Sequence, residues 1–310
     1  MRHLAAVLAL TVASLASPAW AQDSPSENDL VVTAPRLNEM IREFVGEVST
    51  AQDDENQIAR WDRRICPQIA GLPQRQAQFV ADRLSQRARQ IGLRPGGPNC
   101  RANVLIFVAP DADRFTAALT DRFPEVFDPG VPNMHQQSDE ALAQFISSDA
   151  PVRWWHVSQT VSADGYLVQN TEPRTRSGDL TGLSVMRTSV VSRMGRTTRQ
   201  DFNRAILVVD AARAAGVRFD ALADYISMAT LAQLDPSADT RDVDTVLNLF
   251  ADRDTGAQLV AGMTTWDVAY LDGLYHARRN AANARRQEAD ISRRMRTAEL
   301  DAEYLDEPAQ

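Results

Sequence analysis

The sequence predicts an α+β protein: a mixed sheet with flanking helices and a long C-terminal helix projecting from the domain. Three observations carry that expectation. Val104-Leu105-Ile106-Phe107-Val108 and residues 205–209 are short, continuous apolar runs, the pattern of strands covered on both faces. Other stretches repeat apolar residues at i, i+3, i+4 and i+7, the period of a helix with one buried side. Residues 266–304 contain no proline and no glycine beyond Gly273, which permits one helix of about 55 Å at 1.5 Å per residue.

Taken in order, Met1-Arg2-His3 is a positive start. An apolar run over residues 4–15 follows, and Ala19 and Ala21 are small residues flanking Trp20. This is the layout of a secretory leader, so residues 1–21 read as a signal peptide cleaved near Ala21. The apolar run falls short of the ~20 residues that span a bilayer, and no later segment approaches that length. The expected chain is periplasmic or secreted and not membrane-spanning. Residues 22–29 are polar, and residues 22–35 read as a flexible N-terminal segment, residues 36–276 as a single α+β domain, and residues 277–310 as an Arg-rich helical extension.

Within the domain, Leu37, Met40, Ile41, Phe44, Val45 and Val48 lie on one face of a first helix. Residues 60–69 read as extended, with Pro67 restricting them to an edge. Pro73 opens a second helix, whose Phe79, Val80, Leu84, Ala88 and Ile91 share a face until Gly92. After the buried strand at 104–108, Pro110 opens a short helix carrying Phe115, Ala118 and Leu119. Residues 124–133 read as loop, and 140–146 as helix. Strands are expected at 152–161, 185–194 and 205–209, a helix at 219–234, and a short helix at 243–250. Thr264 or Thr265 caps the last helix, with Asp267 in its first turn.

Composition excludes more than it assigns. The net charge is −8, from 33 basic and 41 acidic residues, and every basic residue is arginine. Four histidines, one of them in the leader, leave little material for a zinc site or histidine-based catalysis. Neither a G-x-S-x-G elbow, a P-loop nor a G-x-G-x-x-G motif occurs, so no catalytic, metal or cofactor residue is assigned and no cofactor is expected. Cys66 and Cys100 are an even pair in an exported chain, which favours one structural disulfide over a catalytic thiol. Asp252-Arg253-Asp254-Thr255-Gly256 has the outline of a calcium loop, but Met263 stands where the closing glutamate belongs.

Trp154, Trp155 and His156 form the candidate pocket, with a strand histidine making one hydrogen bond as the plainer reading. Seven arginines fall between Arg278 and Arg296 against Glu288 and Asp290, a local excess on an acidic chain. Nucleic acid is not an expected partner for an exported acidic protein. An anionic envelope surface, an acidic partner or a solvated helix face remain open. Ile291, Met295, Ala298 and Leu305 make a thin apolar seam through which the C-terminal helix could self-associate.

Two stretches carry resemblances. Residues 217–236, then Val246-Leu247-Asn248-Leu249-Phe250, then residues 263–275 follow a short strand in an order similar to secreted alphaproteobacterial proteins of unknown function. Those proteins have a degenerate metzincin-type zinc-peptidase core, and the likeness covers about residues 200–276. An overlay places Asp224, Tyr225 and Met228 where a peptidase has its first ligand, general base and second ligand. The resemblance therefore implies the fold without the chemistry.

Asp29-Leu30-Val31-Val32-Thr33-Ala34-Pro35-Arg36 resembles the TonB box of outer-membrane receptors, which implies strand addition to an envelope partner through Leu30, Val31, Val32, Thr33 and Ala34. The other reading of this segment is a first strand or a linker. The functional expectation is an exported, non-catalytic protein acting through protein interactions in the cell envelope. The alternative is an exported, peptidase-like hydrolase with an unrecognised site.

Overall fold

The computed structural model describes residues 34–50, 57–130, 133–135, 137–167, 169–170, 184–185, 188–189, 195–251 and 260–306. The chain runs α1 (Ala34–Val48), β1 (Pro67–Ala70), α2 (Gln74–Gln90), β2 (Val104–Ala109), α3 (Ala112–Arg122), α4 (Pro124–Phe127), β3 (Met134–His135), α5 (Asp139–Ser147) and β4 (Val152–Ser162). A two-residue ribbon follows, β5 (Gln169–Asn170) with β6 (Ser184–Val185). Then come β7 (Thr198–Asp210), α6 (Phe219–Leu231), a 3-10 turn (Val246–Phe250), α7 (Thr265–His276) and α8 (Ala284–Asp306).

Helix starts follow local chemistry. Asp111 accepts the Arg114 N–H at 3.0 Å to cap α3, and Ser138 accepts the Ala141 N–H at 3.2 Å to cap α5. Thr264 and Asp267 form a reciprocal capping box on α7.

The main sheet has the order β1-β2-β7-β4-β3, which makes it mixed. β1, β2 and β7 are parallel, with Val104 opposite Ala205; β4 is antiparallel to β7, and β3 to β4. Side-chain alternation along the central strands divides the interior in two. Val104, Ile106, Ala205, Leu207, Val209, Val152 and Trp154 meet α1, α2, α6, α7 and α8 in the larger core. Ile206, Val208, Trp155 and Val157 meet Ala112, Phe127 and Phe145 in the smaller one. The architecture is thus α+β, a mixed sheet with helices on both faces.

Four sequence expectations change. Residues 124–127 are a helical turn rather than loop, because Pro124 suits a first turn and Phe127 seals the smaller core at 2% exposure. The strand expected at 205–209 begins at Thr198, since β4 pairs with it along its whole length. The helix expected at 219–234 ends at Leu231, and α6 is buried nearly all round, being covered by the sheet on one side and by α2 and the 3-10 turn on another. Of the strand expected at 185–194, Val185 lies in β6 and residues 188–189 lie outside any strand; residues 186–187 and 190–194 are outside the described residues.

The largest change is at the C-terminus. The stretch expected as one projecting helix is two helices, α7 and α8, broken over residues 277–283. The pairs Asp272–Arg294, Gly273–Ile291 and Arg278–Asp290 run in opposite directions along the chain, so α8 folds back antiparallel on α7. A Cβ on Gly273 would lie 3.1 Å from Ile291 atoms, so glycine allows that approach. Ile291 and Met295 are fully buried in the larger core. The Arg-rich half of the extension is therefore part of the domain, and Ile291 and Met295 of the expected apolar seam are consumed within the chain, whereas Ala298 is exposed.

Cys66 and Cys100 are joined, with Cα atoms 6.0 Å apart, tying the start of β1 to the turn before β2. No helix among the described residues is long and apolar enough to cross a membrane. The N-terminal resemblance falls on the edge of the described chain. Leu30, Val31, Val32 and Thr33 lie outside it, whereas Ala34, Pro35 and Arg36 already belong to α1, whose first turn tolerates Pro35.

Candidate binding cleft

β4 carries Arg153-Trp154-Trp155-His156, and alternation sends neighbours to opposite faces. Trp154 and His156 point towards α6. The Trp154 indole donates to the Leu234 carbonyl at 3.2 Å, and its ring lies 6.3 Å from Tyr225. His156 donates from Nε2 to the Ala229 carbonyl at 3.0 Å and stacks on Phe202 at 4.6 Å. Burial pushes its imidazole down to about 4, against the smaller upward pull of that carbonyl, so the ring is neutral at pH 7. Its Nδ1 has no hydrogen-bond partner among the described residues.

Trp155 faces the other way, packed among Phe127 and Phe145, with its indole donating to the Phe127 carbonyl at 3.3 Å. The three residues of the expected pocket are therefore not brought together: Trp155 lies across the sheet from the other two. A four-residue string in sequence becomes two faces in a strand.

Of the three, Trp154 alone lines a cleft, of about 650 Å³, between α5 and residues 233–237. Phe145, Val152, Trp154, Leu234 and Pro236 supply apolar surface. Gln137, Ser138, Gln144, Ser148, Gln233, Ser237 and Thr50 supply uncharged hydrogen-bonding groups. Its charged members are already engaged. Arg153 donates to the Ile146 carbonyl at 2.8 Å and pairs with Asp113, while Asp235 accepts from the Ser237 N–H at 2.8 Å and its hydroxyl at 2.6 Å.

His135 also lines the cleft, its Nε2 2.7 Å from the Thr160 hydroxyl. Sequence reasoning missed these glutamines and serines. No motif marks them, because two stretches far apart in the sequence, 137–148 and 233–237, bring them to one place.

The overlay positions on α6 have structural partners. Asp224 receives a two-pronged hydrogen bond from Arg87, Nε to Oδ1 at 2.7 Å and Nη2 to Oδ2 at 2.8 Å, plus the Met263 N–H at 3.1 Å. Tyr225 packs against Trp154 and Phe250, and burial pushes its phenol up. Met228 is fully buried.

Asp267, in the downstream segment, accepts hydrogen bonds from the Val246 N–H at 2.8 Å, the Thr264 N–H at 2.9 Å and the Thr245 hydroxyl. Burial pushes its carboxyl up while those donors hold it down. One carboxylate thus ties together two segments of the sequence resemblance. Among the described residues, no three His, Cys, Asp or Glu side chains are grouped to hold a metal ion. The calcium-like segment from Asp252 to Gly256 lies outside the described residues.

Compared with known protein families, characterised proteins and solved structures, the chain matches none.

Proposed function

We propose that this is an exported, non-catalytic protein of the cell envelope that holds an extended, uncharged stretch of a partner polypeptide in the cleft between α5 and residues 233–237. The observation that carries the reading is the lining: apolar surface around Trp154, rimmed by amides and hydroxyls, with its two charges occupied inside the protein. Such a lining matches main-chain amides and small apolar side chains better than charged groups. Export is supported by the leader-like residues 1–21 and fits the Cys66–Cys100 disulfide. TonB-like strand addition would act through residues 29–33, because α1 begins at Ala34.

Capture from envelope extract tests the reading. Gln144→Trp and Ser237→Arg, which obstruct the cleft from opposite walls, are expected to abolish capture of a partner that the parent chain retains. Retention of the same partner by both variants, with loss on deleting residues 22–33, would instead place recognition at the N-terminal segment.

A further inference from the structure

The outer edge of β4 is only partly paired. Along an antiparallel strand, successive residues direct their main-chain N–H and C=O to opposite neighbours. Asp210 donates its N–H to the Pro151 carbonyl at 2.9 Å, which sets Arg153, Trp155 and Val157 bonding towards β7 and the even-numbered residues facing outward. The outward Thr160 N–H donates to Asn133 at 2.8 Å, the Ser162 N–H to Tyr166 at 2.8 Å, and Ser158 pairs with His135. β3 ends at His135. Beyond it, no described residue hydrogen-bonds the outward main-chain groups of Trp154.

Trp154 is also where this edge meets the cleft. Its neighbours on the edge, Val152 and His156, are sealed at 1% and 2% exposure, whereas Trp154 keeps 8% and lines the cleft floor. One wall is α5, with Ala141, Gln144 and Phe145; the other is the segment from Leu234 to Ser237. A main-chain group without a partner in such a recess is costly, and an extended chain lying along the cleft can supply that partner.

We infer that the cleft holds its partner by strand addition at Trp154, one partner residue exchanging both main-chain hydrogen bonds with Trp154 in a segment antiparallel to β4. Strand addition rests on the cleft reading and specifies how the cleft recognises a polypeptide. The added segment continues the line of β3 along β4. A main chain carries no net charge, which matches a lining whose Arg153 and Asp235 are already engaged. A second copy is a poor donor: its own β4 edge is equally recessed, and β1, at the other edge of the sheet, opens on Pro67, which has no N–H. Side chains alternate along a strand. The partner residue opposite Trp154 therefore faces Leu234 and Pro236, and the residues on either side of it face Ala141 and Phe145.

A random library of uncharged seven-residue peptides, acetylated and amidated at their ends, is the probe. Peptides are selected on the parent chain, and those that fail to bind both Gln144→Trp and Ser237→Arg are kept. N-methylation of one residue is expected to weaken such a peptide about tenfold or more, because a main-chain hydrogen bond is lost, while N-methylation of the residues on either side changes binding by no more than about threefold. The bound peptide is expected to slow amide exchange at Trp154 and to leave Trp155, already bonded to β7, unchanged.

Cleft-dependent peptides that tolerate N-methylation at every position, or that leave Trp154 exchange unchanged, would overturn strand addition and leave the cleft reading standing. A library without a cleft-dependent peptide would remove the cleft reading and strand addition together. Faster Trp154 exchange on deleting residues 22–33, or slower exchange as protein concentration rises, would assign the edge to the chain itself and overturn strand addition by a partner.

Discussion

Arg60 ends helix α7 from the opposite side of the core: its Nη2 donates to the carbonyl oxygen of Ala277 at 2.8 Å, and its Nη1 donates to that of Leu274. The last carbonyls of a helix lack intrahelical donors, and here a buried guanidinium supplies them. Burial pushes Arg60 down to about 10, with the neighbouring Arg279 adding to the shift, so it remains charged at pH 7. The turn that lets α8 fold back is therefore held by a residue more than 200 positions upstream.

Replacing Arg60 with methionine is expected to lower stability by about 2 kcal/mol. Two buried carbonyls lose their donors at about 1–3 kcal/mol each, partly offset because a buried charge no longer has to be desolvated. Urea unfolding measures the loss, and amide exchange in α8 should accelerate more than in the central strands. Equal protection of α8 in the variant and the parent would remove Arg60 as the anchor of this turn.

His156 makes stability depend on acid. Its folded-state value of about 4 lies below the ~6.5 of an unfolded histidine, so below pH 6.5 the unfolded chain binds a proton that the native chain refuses. The stability is full above pH 6.5 and declines as pH falls towards 4. Between pH 7 and pH 4.5 the loss amounts to about 2–3 kcal/mol. His156→Gln should remove that share of the pH dependence. Parallel pH–stability curves for parent and variant would show that the buried ring is not its source.

Asp224 is expected to behave as an anchor for Arg87. Asp224→Ala should cost about 3 kcal/mol, because it leaves a largely buried guanidinium unpaired. Asp224→Leu combined with Arg87→Met should recover much of that, since both charges leave together. Added zinc should leave the melting temperature of the parent unchanged. A zinc-dependent rise that Asp224→Ala abolishes would return Asp224 to a ligand role.

Much of the frame was legible in the sequence. The apolar run at 104–108 is β2, the face shared by Val80, Leu84 and Ala88 is buried on α2, and Cys66 and Cys100 are bonded. These rest on short-range signals: periodicity, caps and an even cysteine pair. The candidate pocket was legible only in part. Reading Arg153-Trp154-Trp155-His156 as one cluster overlooked the two-residue period that separates Trp155 from its neighbours. The cleft itself draws Gln144 from α5 and Ser237 from beyond α6, a pairing that no local pattern signals.

The C-terminal region shows the division most clearly. By itself the sequence determined that the stretch from about 266 to 304 is helix-forming, because helix propensity and capping are local properties. It also set the order of charges along α8. Where the helix stops was decided only in the tertiary structure. Residues 277–283 contain neither glycine nor proline, and the break depends on carbonyls captured by Arg60 and on Ile291 fitting against Gly273. Those contacts exist only once distant segments have met, and they turn a helix free to project into one packed on the core.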